Sequence, residues 1–275
     1  MRTLLTNSGT GKIYASALAM RELGFKRVLF LVHRVTLAKQ AKKSFEKVFD
    51  KKVTMGLVGA GSYEYEKDYV FATVETLNRD AHLFQYQPDA FDCIILDEAH
   101  HSSNNIYTKV IDYFNPKLFL GMTATPDKRD DNQEGKNIYE IFHYQIAHEI
   151  RLQQAMEDNL LCPFHYFGIS EVVSLDDKTL QATKLTDDEF NQLTSDERVR
   201  HVIEQSEYYG YSGDRVRGLI FCSRVKECEE LSRKFNTLGY RTIALSGSDS
   251  EEKRQKAFER LAMDEADTTE EMQPL

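Results

Sequence analysis

The stretch FDCIILDEAHH, residues 91–101, decides the fold. Its apolar run Cys93-Ile94-Ile95-Leu96 is too short for a helix with a core of its own. It reads as a fully buried strand of a parallel sheet. Asp97 and Glu98 follow directly. Open α/β sheets bind ligands in the crevice beyond the carboxyl ends of their strands. Two acids leaving a buried strand are costly to desolvate unless a cation or a proton is there to be handled. The plainer alternative is a surface turn whose acids cap the next helix.

Upstream, Asn7-Ser8-Gly9-Thr10-Gly11-Lys12 follows the apolar pair Leu4-Leu5 and precedes a helical pattern over 13–23. Strand, glycine-rich loop, lysine and helix is an arrangement that cradles phosphate. The glycines let backbone N–H groups face the anion, the helix N-terminus adds partial positive charge, and the lysine reaches the outer phosphates. A lone glycine turn would carry little weight; paired with Asp97-Glu98 it points to a nucleotide.

Strand-like runs at 3–6, 27–32, 53–58, 69–72, 93–96 and 118–122 set a βαβ rhythm, with helical periodicity over 13–23 and 36–49. The second helix turns Leu37, Ala41, Phe45 and Val48 to one face. Its Lys39, Lys42, Lys43 and Lys47 read as a solvated face or, beside Arg34, as a phosphate-backbone contact. The strand over 118–122 runs into Thr123-Ala124-Thr125-Pro126, small hydroxyl residues suited to a hydrogen-bonded relay or to a simple turn. A short helix over 150–161 and a strand over 163–169 are expected next. Residues 170–197 are acidic and read as a surface excursion or a helical insertion. A second α/β pattern follows, with strands at 218–222 and 242–244 and helices at 226–238 and 251–261. The DEAD string at Asp264–Asp267 has no buried strand before it and reads as chance in an acidic tail.

The chain has 275 residues, 41% apolar and 29% charged, enough for two domains. Its net charge of −9 argues against non-specific nucleic-acid binding by the chain as a whole, while leaving room for a local basic surface. No apolar run approaches membrane-spanning length. Cys93, Cys162, Cys222 and Cys228 lack metal-like spacing and read as reduced thiols of a cytoplasmic protein. The neighbours His100 and His101 have no cysteine partner for a zinc site.

These motifs, in this order, resemble the superfamily 2 helicases of the DEAH-box type, and most of all the helicase subunits of restriction enzymes and excision-repair helicases. Residues 7–12 resemble motif I, 32–40 motif Ia, 72–77 motif Ib, 97–100 motif II, 121–126 (GMTATP) motif III and 219–223 motif IV. The resemblance implies an α/β fold: a RecA-like P-loop NTPase domain over 1–147, then a linker or insertion and a partial second RecA-like domain over 148–275. It implies ATP and Mg²⁺ as cofactors and nucleic acid as partner, DNA before RNA. Ser8, Gly9, Thr10, Gly11, Lys12 and Ile13 would hold the nucleotide, Asp97 the metal, and Glu98 the attacking water. His100, Thr123 and Thr125 would couple the nucleotide to the track, and Arg34, Gln40, Thr73 and Thr76 would touch nucleic acid.

Two departures temper this expectation. Ile13 stands where the family has a serine or threonine that ligates Mg²⁺. The segments that would carry motifs V and VI, with an arginine finger worth roughly 10³–10⁵ in rate, are not in the chain. The expectation is an incomplete helicase or translocase core of low activity, its missing motifs supplied by further domains or a second chain. The alternative is a pseudo-ATPase scaffold that binds nucleotide or DNA. A non-helicase P-loop kinase would need neither motif III nor the second α/β repeat.

Overall fold

Eight strands form one sheet in the computed structural model, which describes residues 2–7, 11–49, 53–59, 61–99, 105–124, 138–170, 186–211, 213 and 215–262. They are β1 (Arg2–Asn7), β2 (Val28–Val32), β3 (Met55–Gly59), β4 (Ser62–Tyr63), β5 (Tyr69–Thr73), β6 (Cys93–Asp97), β7 (Leu118–Thr123) and β8 (Ile146–Ile150). The order is β4-β3-β5-β2-β6-β7-β1-β8, parallel throughout except for the β3–β4 hairpin. The chain divides into two compact units, Met1–Phe164 and His165–Leu275, and the whole sheet lies in the first. The domain boundary expected at 147 falls inside β8.

Period-2 alternation builds the core on both faces of the sheet. Val28, Phe30 and Val32 of β2, Tyr69 and Phe71 of β5, and Cys93 and Ile95 of β6 pack with Ala17 and Met20 of α1 (Lys12–Leu23) and Ala38, Ala41 and Phe45 of α2 (Val35–Glu46). Phe45 meets Phe30 and Phe71 edge-on, with ring centroids 5.5 and 5.2 Å away. The intervening residues, Leu29, Leu31, Val70, Ala72, Ile94 and Leu96, face the opposite cluster. There they meet Leu77 of α3 (Val74–Leu77), Leu83 of α4 (Asp80–Leu83) and Val110 and Ile111 of α5 (Asn105–Tyr113). All five residues of β2, β5 and β6 are buried, as strands covered on both faces must be.

Gly121 of β7 is a close approach. A Cβ there would stand 2.4 Å from Cζ of the fully buried Phe142, and 2.7 and 2.9 Å from two further ring carbons. Phe142 follows α6 (Ile138–Ile141) and leads into β8. That edge strand, paired in parallel with β1, stands just before the expected helix over 150–161, which shortens to α7 (Leu152–Glu157). Ile146 is 44% exposed, so β8 lacks the buried run that marks the inner strands in sequence.

In the second unit, helices Asp187–Leu193, Asp196–Tyr209, Val225–Thr237 and Glu251–Ala262 are present. Val199, Leu231 and Phe235 form its buried cluster. Thr186 and Glu189 close a capping box at the first helix. Residues 163–169, 218–222 and 242–244, expected as strands, are in no ladder among the described residues. An extended segment becomes a strand only when a neighbour takes up its backbone groups. Leu219, Ile220 and Phe221 are 62%, 53% and 90% exposed accordingly.

Among the described residues no helix is long and apolar enough to cross a membrane.

Candidate nucleotide site and nucleic-acid edge

The carboxyl edge of the sheet gathers the charged groups. β7 lies between β1 and β6, so Lys12, beginning the helix after β1, reaches across it to the end of β6. Its Nζ stands 3.0 Å from Asp97 Oδ1 and 3.0 Å from Glu98 Oε1. Asp97 is buried, Lys12 nearly so, and Glu98 half-buried. Burial alone would lower the lysine pKa. The charge and hydrogen bond of Asp97, joined by those of Glu98, outweigh it and hold the ammonium above its ordinary 10.5.

Two backbone features make the reach possible. Gly11 caps α1 at φ 80, a left-handed conformation that glycine adopts without steric cost. Glu98 takes φ 51, rare for a residue with a Cβ and costing of order 1–3 kcal/mol. Its N–H donates to Asp97 Oδ1 at 3.0 Å. This turn out of β6 sets the two carboxylates on one ammonium.

Thr123, fully buried at the end of β7, is paired with Thr6 of β1, one residue beyond the Met122 that pairs with Asp97. It therefore stands between the ends of β1 and β6. Ile13 is partly buried and packs against the α1–α2 core cluster. The next serine along α1, Ser16, is buried and donates its hydroxyl to Ile13 O at 2.8 Å, so it does not replace the missing oxygen. Ser8, Gly9, Thr10, His100 and Thr125 lie outside the described residues.

A second group of expected residues meets farther along the same edge. Thr73 caps α3, its hydroxyl accepting from Thr76 N–H, and the two hydroxyls lie 2.8 Å apart. Gly59, at φ +140, ends β3 beside them; a Cβ there would stand 3.2 Å from Thr76 Oγ1 and 3.9 Å from Val35 Cγ2. Arg34, exposed, caps α2 next to Val35. Gln40 is exposed in the middle of α2, about 9 Å along the helix from Arg34 by rise alone, and is not part of this group. Gly59 was not expected from sequence; its signal was a glycine ending a strand-like run.

Residues 3–128 match the family described as type III restriction enzyme, res subunit. By these residues the chain is similar to the res subunits of restriction enzymes. IRC3 of Saccharomyces cerevisiae, which bears an ATP-dependent helicase name, is 28% identical over 205 residues, 68% of this chain and 28% of its own. The type I restriction enzyme EcoAI endonuclease subunit of Escherichia coli is 24% identical over 258 residues, 84% of this chain and 31% of that one. The chain thus spans under a third of the length of either relative. Among solved structures, the DNA-bound ATP-dependent type ISP restriction-modification enzyme LlaBIII superposes with a TM-score of 0.58 over 88% of this chain and 20% of its own, at 20% identity. That likeness is one of fold, a RecA-like α/β domain.

Proposed function

We propose that this chain is an ATP-dependent helicase or translocase core acting on DNA in the cytoplasm, completed by further domains or a partner chain. The observation that carries the reading is the Lys12 ammonium held 3.0 Å from both Asp97 and Glu98 at the sheet's carboxyl edge. The donor set fits a magnesium nucleotide. The buried Asp97 has the Lys12 ammonium as its counter-ion, and that ammonium is placed to pass from carboxylate to phosphate.

In this reading Lys12 binds the outer phosphates, with Gly9, Thr10 and Gly11 giving backbone donors and Ser8 and Ile13 flanking them. Asp97 would hold the magnesium ion, which would supply neutralisation of the phosphate charge. Glu98 orients the attacking water and takes its proton as the bond to the leaving phosphate oxygen breaks. His100, Thr123 and Thr125 relay the nucleotide state. Arg34, Thr73 and Thr76 hold the track, and Gln40 assists from α2.

Steady-state ATP hydrolysis with and without DNA, beside a Glu98→Gln control, tests this. Turnover stimulated by DNA and reduced in the control by about 10²-fold or more is expected. Nucleotide binding without turnover would favour a second reading, a pseudo-ATPase scaffold, which Ile13 supports by offering no metal-ligating oxygen.

A further inference from the structure

The hairpin at the far edge of the sheet carries aromatic groups that the nucleotide site leaves unused. Tyr63 pairs with Val58, which is level with Ala72, Leu31 and, on β6, Leu96. Tyr63 thus stands in register with the residue before Asp97. Four strand spacings separate the two, roughly 19 Å. Ser62, next to it, pairs with Gly59, the neighbour of the Thr73–Thr76 hydroxyl pair.

Tyr63 is 50% exposed, yet its ring is not loose. It lies on the imidazole of His82 with centroids 4.9 Å apart and planes 7° from parallel. His82 is fixed in turn by the Tyr65 hydroxyl, 2.6 Å from its Nδ1. Tyr65 packs against the buried cluster, edge-on to Tyr86 at 5.7 Å. A rigid layer therefore backs the Tyr63 ring while half of the residue's surface remains in solvent.

Several charged groups around the hairpin already have partners. Arg79 is 3.9 Å from Glu75, Lys109 is 2.7 Å from Asp80, and the Glu64 carboxylate accepts the Leu57 N–H at 3.0 Å. The exposed Tyr63 offers a flat π-face, which suits a base better than a phosphate. Aromatic faces of this kind take successive bases of single strands with little regard to sequence.

We infer that Tyr63, backed by His82 and Tyr65, is a stacking platform for an unpaired nucleobase of a single strand leaving the Thr73–Thr76 hydroxyls. The inference rests on the nucleic-acid reading above.

Its test is binding of a short single-stranded oligodeoxynucleotide bearing one 2-aminopurine, followed by anisotropy and by quenching of the base's fluorescence. Tyr63→Ala is expected to weaken binding about tenfold, equivalent to about 1.4 kcal/mol, and to relieve quenching at one position of the probe. Tyr63→Phe should retain both. The slope of affinity against salt should not change, since no phosphate contact is removed. Wild-type binding with affinity and quenching unaltered in Tyr63→Ala would overturn the platform alone. Absence of any wild-type binding at low salt would overturn the nucleic-acid reading, and the platform with it.

Discussion

At the scale of single residues, the apparatus turns on where one ammonium finds its counter-charge. The raised Lys12 pKa means that the folded chain holds this proton more tightly than the unfolded one. Its contribution to stability is fully present below 10.5 and is lost as pH rises through the folded-state value. The difference in urea stability between the wild type and Lys12→Met should therefore be constant from neutrality upward and shrink only beyond 10.5. Ile13 gives a second test. Ile13→Thr restores an oxygen beside Lys12 at the cost of some packing against the α1–α2 core, so Mg·ATP affinity measured by calorimetry should rise. Unchanged affinity would mean that a hydroxyl at this helix position does not reach the ion.

Between elements, Phe142 sets how β7 is held. The sequence motif GMTATP marks Gly121 by resemblance, but the physical need for glycine comes from the ring lying on it, 2.4 Å from any added Cβ. Gly121→Ala should destabilise the first unit by about 1–3 kcal/mol through overpacking. Pairing it with Phe142→Leu should recover part of that loss, a coupling that a double-mutant cycle measures. Additive losses would show that the clash is relieved elsewhere. Since Thr123 follows two residues later in the same strand, the packing at Gly121 also bears on the middle of the candidate site.

At the scale of the whole molecule, the two units differ in how their backbone is satisfied. The first has a sheet with two covered faces. The second has helices around Val199, Leu231 and Phe235, while 218–222 and 242–244 pair with no strand among the described residues. Native-state hydrogen exchange should find the amides of β2, β5 and β6 slowest and those of 218–221 faster by orders of magnitude. Protection of 218–221 equal to that of β6 would mean that a partner already covers this segment in solution.

The inner strands and the first two helices were legible because burial on both faces leaves an uninterrupted apolar run, and a half-buried helix leaves a 3.6-residue period. The Asp97-Glu98 pair and Lys12 stood out because charged groups at the ends of buried strands are costly without a partner. Sequence alone thus determined the parallel α/β class and singled out Lys12, Asp97 and Glu98, which the fold brings together. Only the tertiary structure decided the rest. The strand order brought Lys12 across β7 to two acids 85 and 86 positions away. Edge strands β4 and β8 form because a neighbour offers its backbone, though their own side chains are largely exposed. The Tyr63–His82 stack joins a hairpin to a four-residue helix, and Gly59 meets Thr76 across the same edge. Each of these depends on which segments become neighbours, and a local pattern of residues does not encode its neighbour.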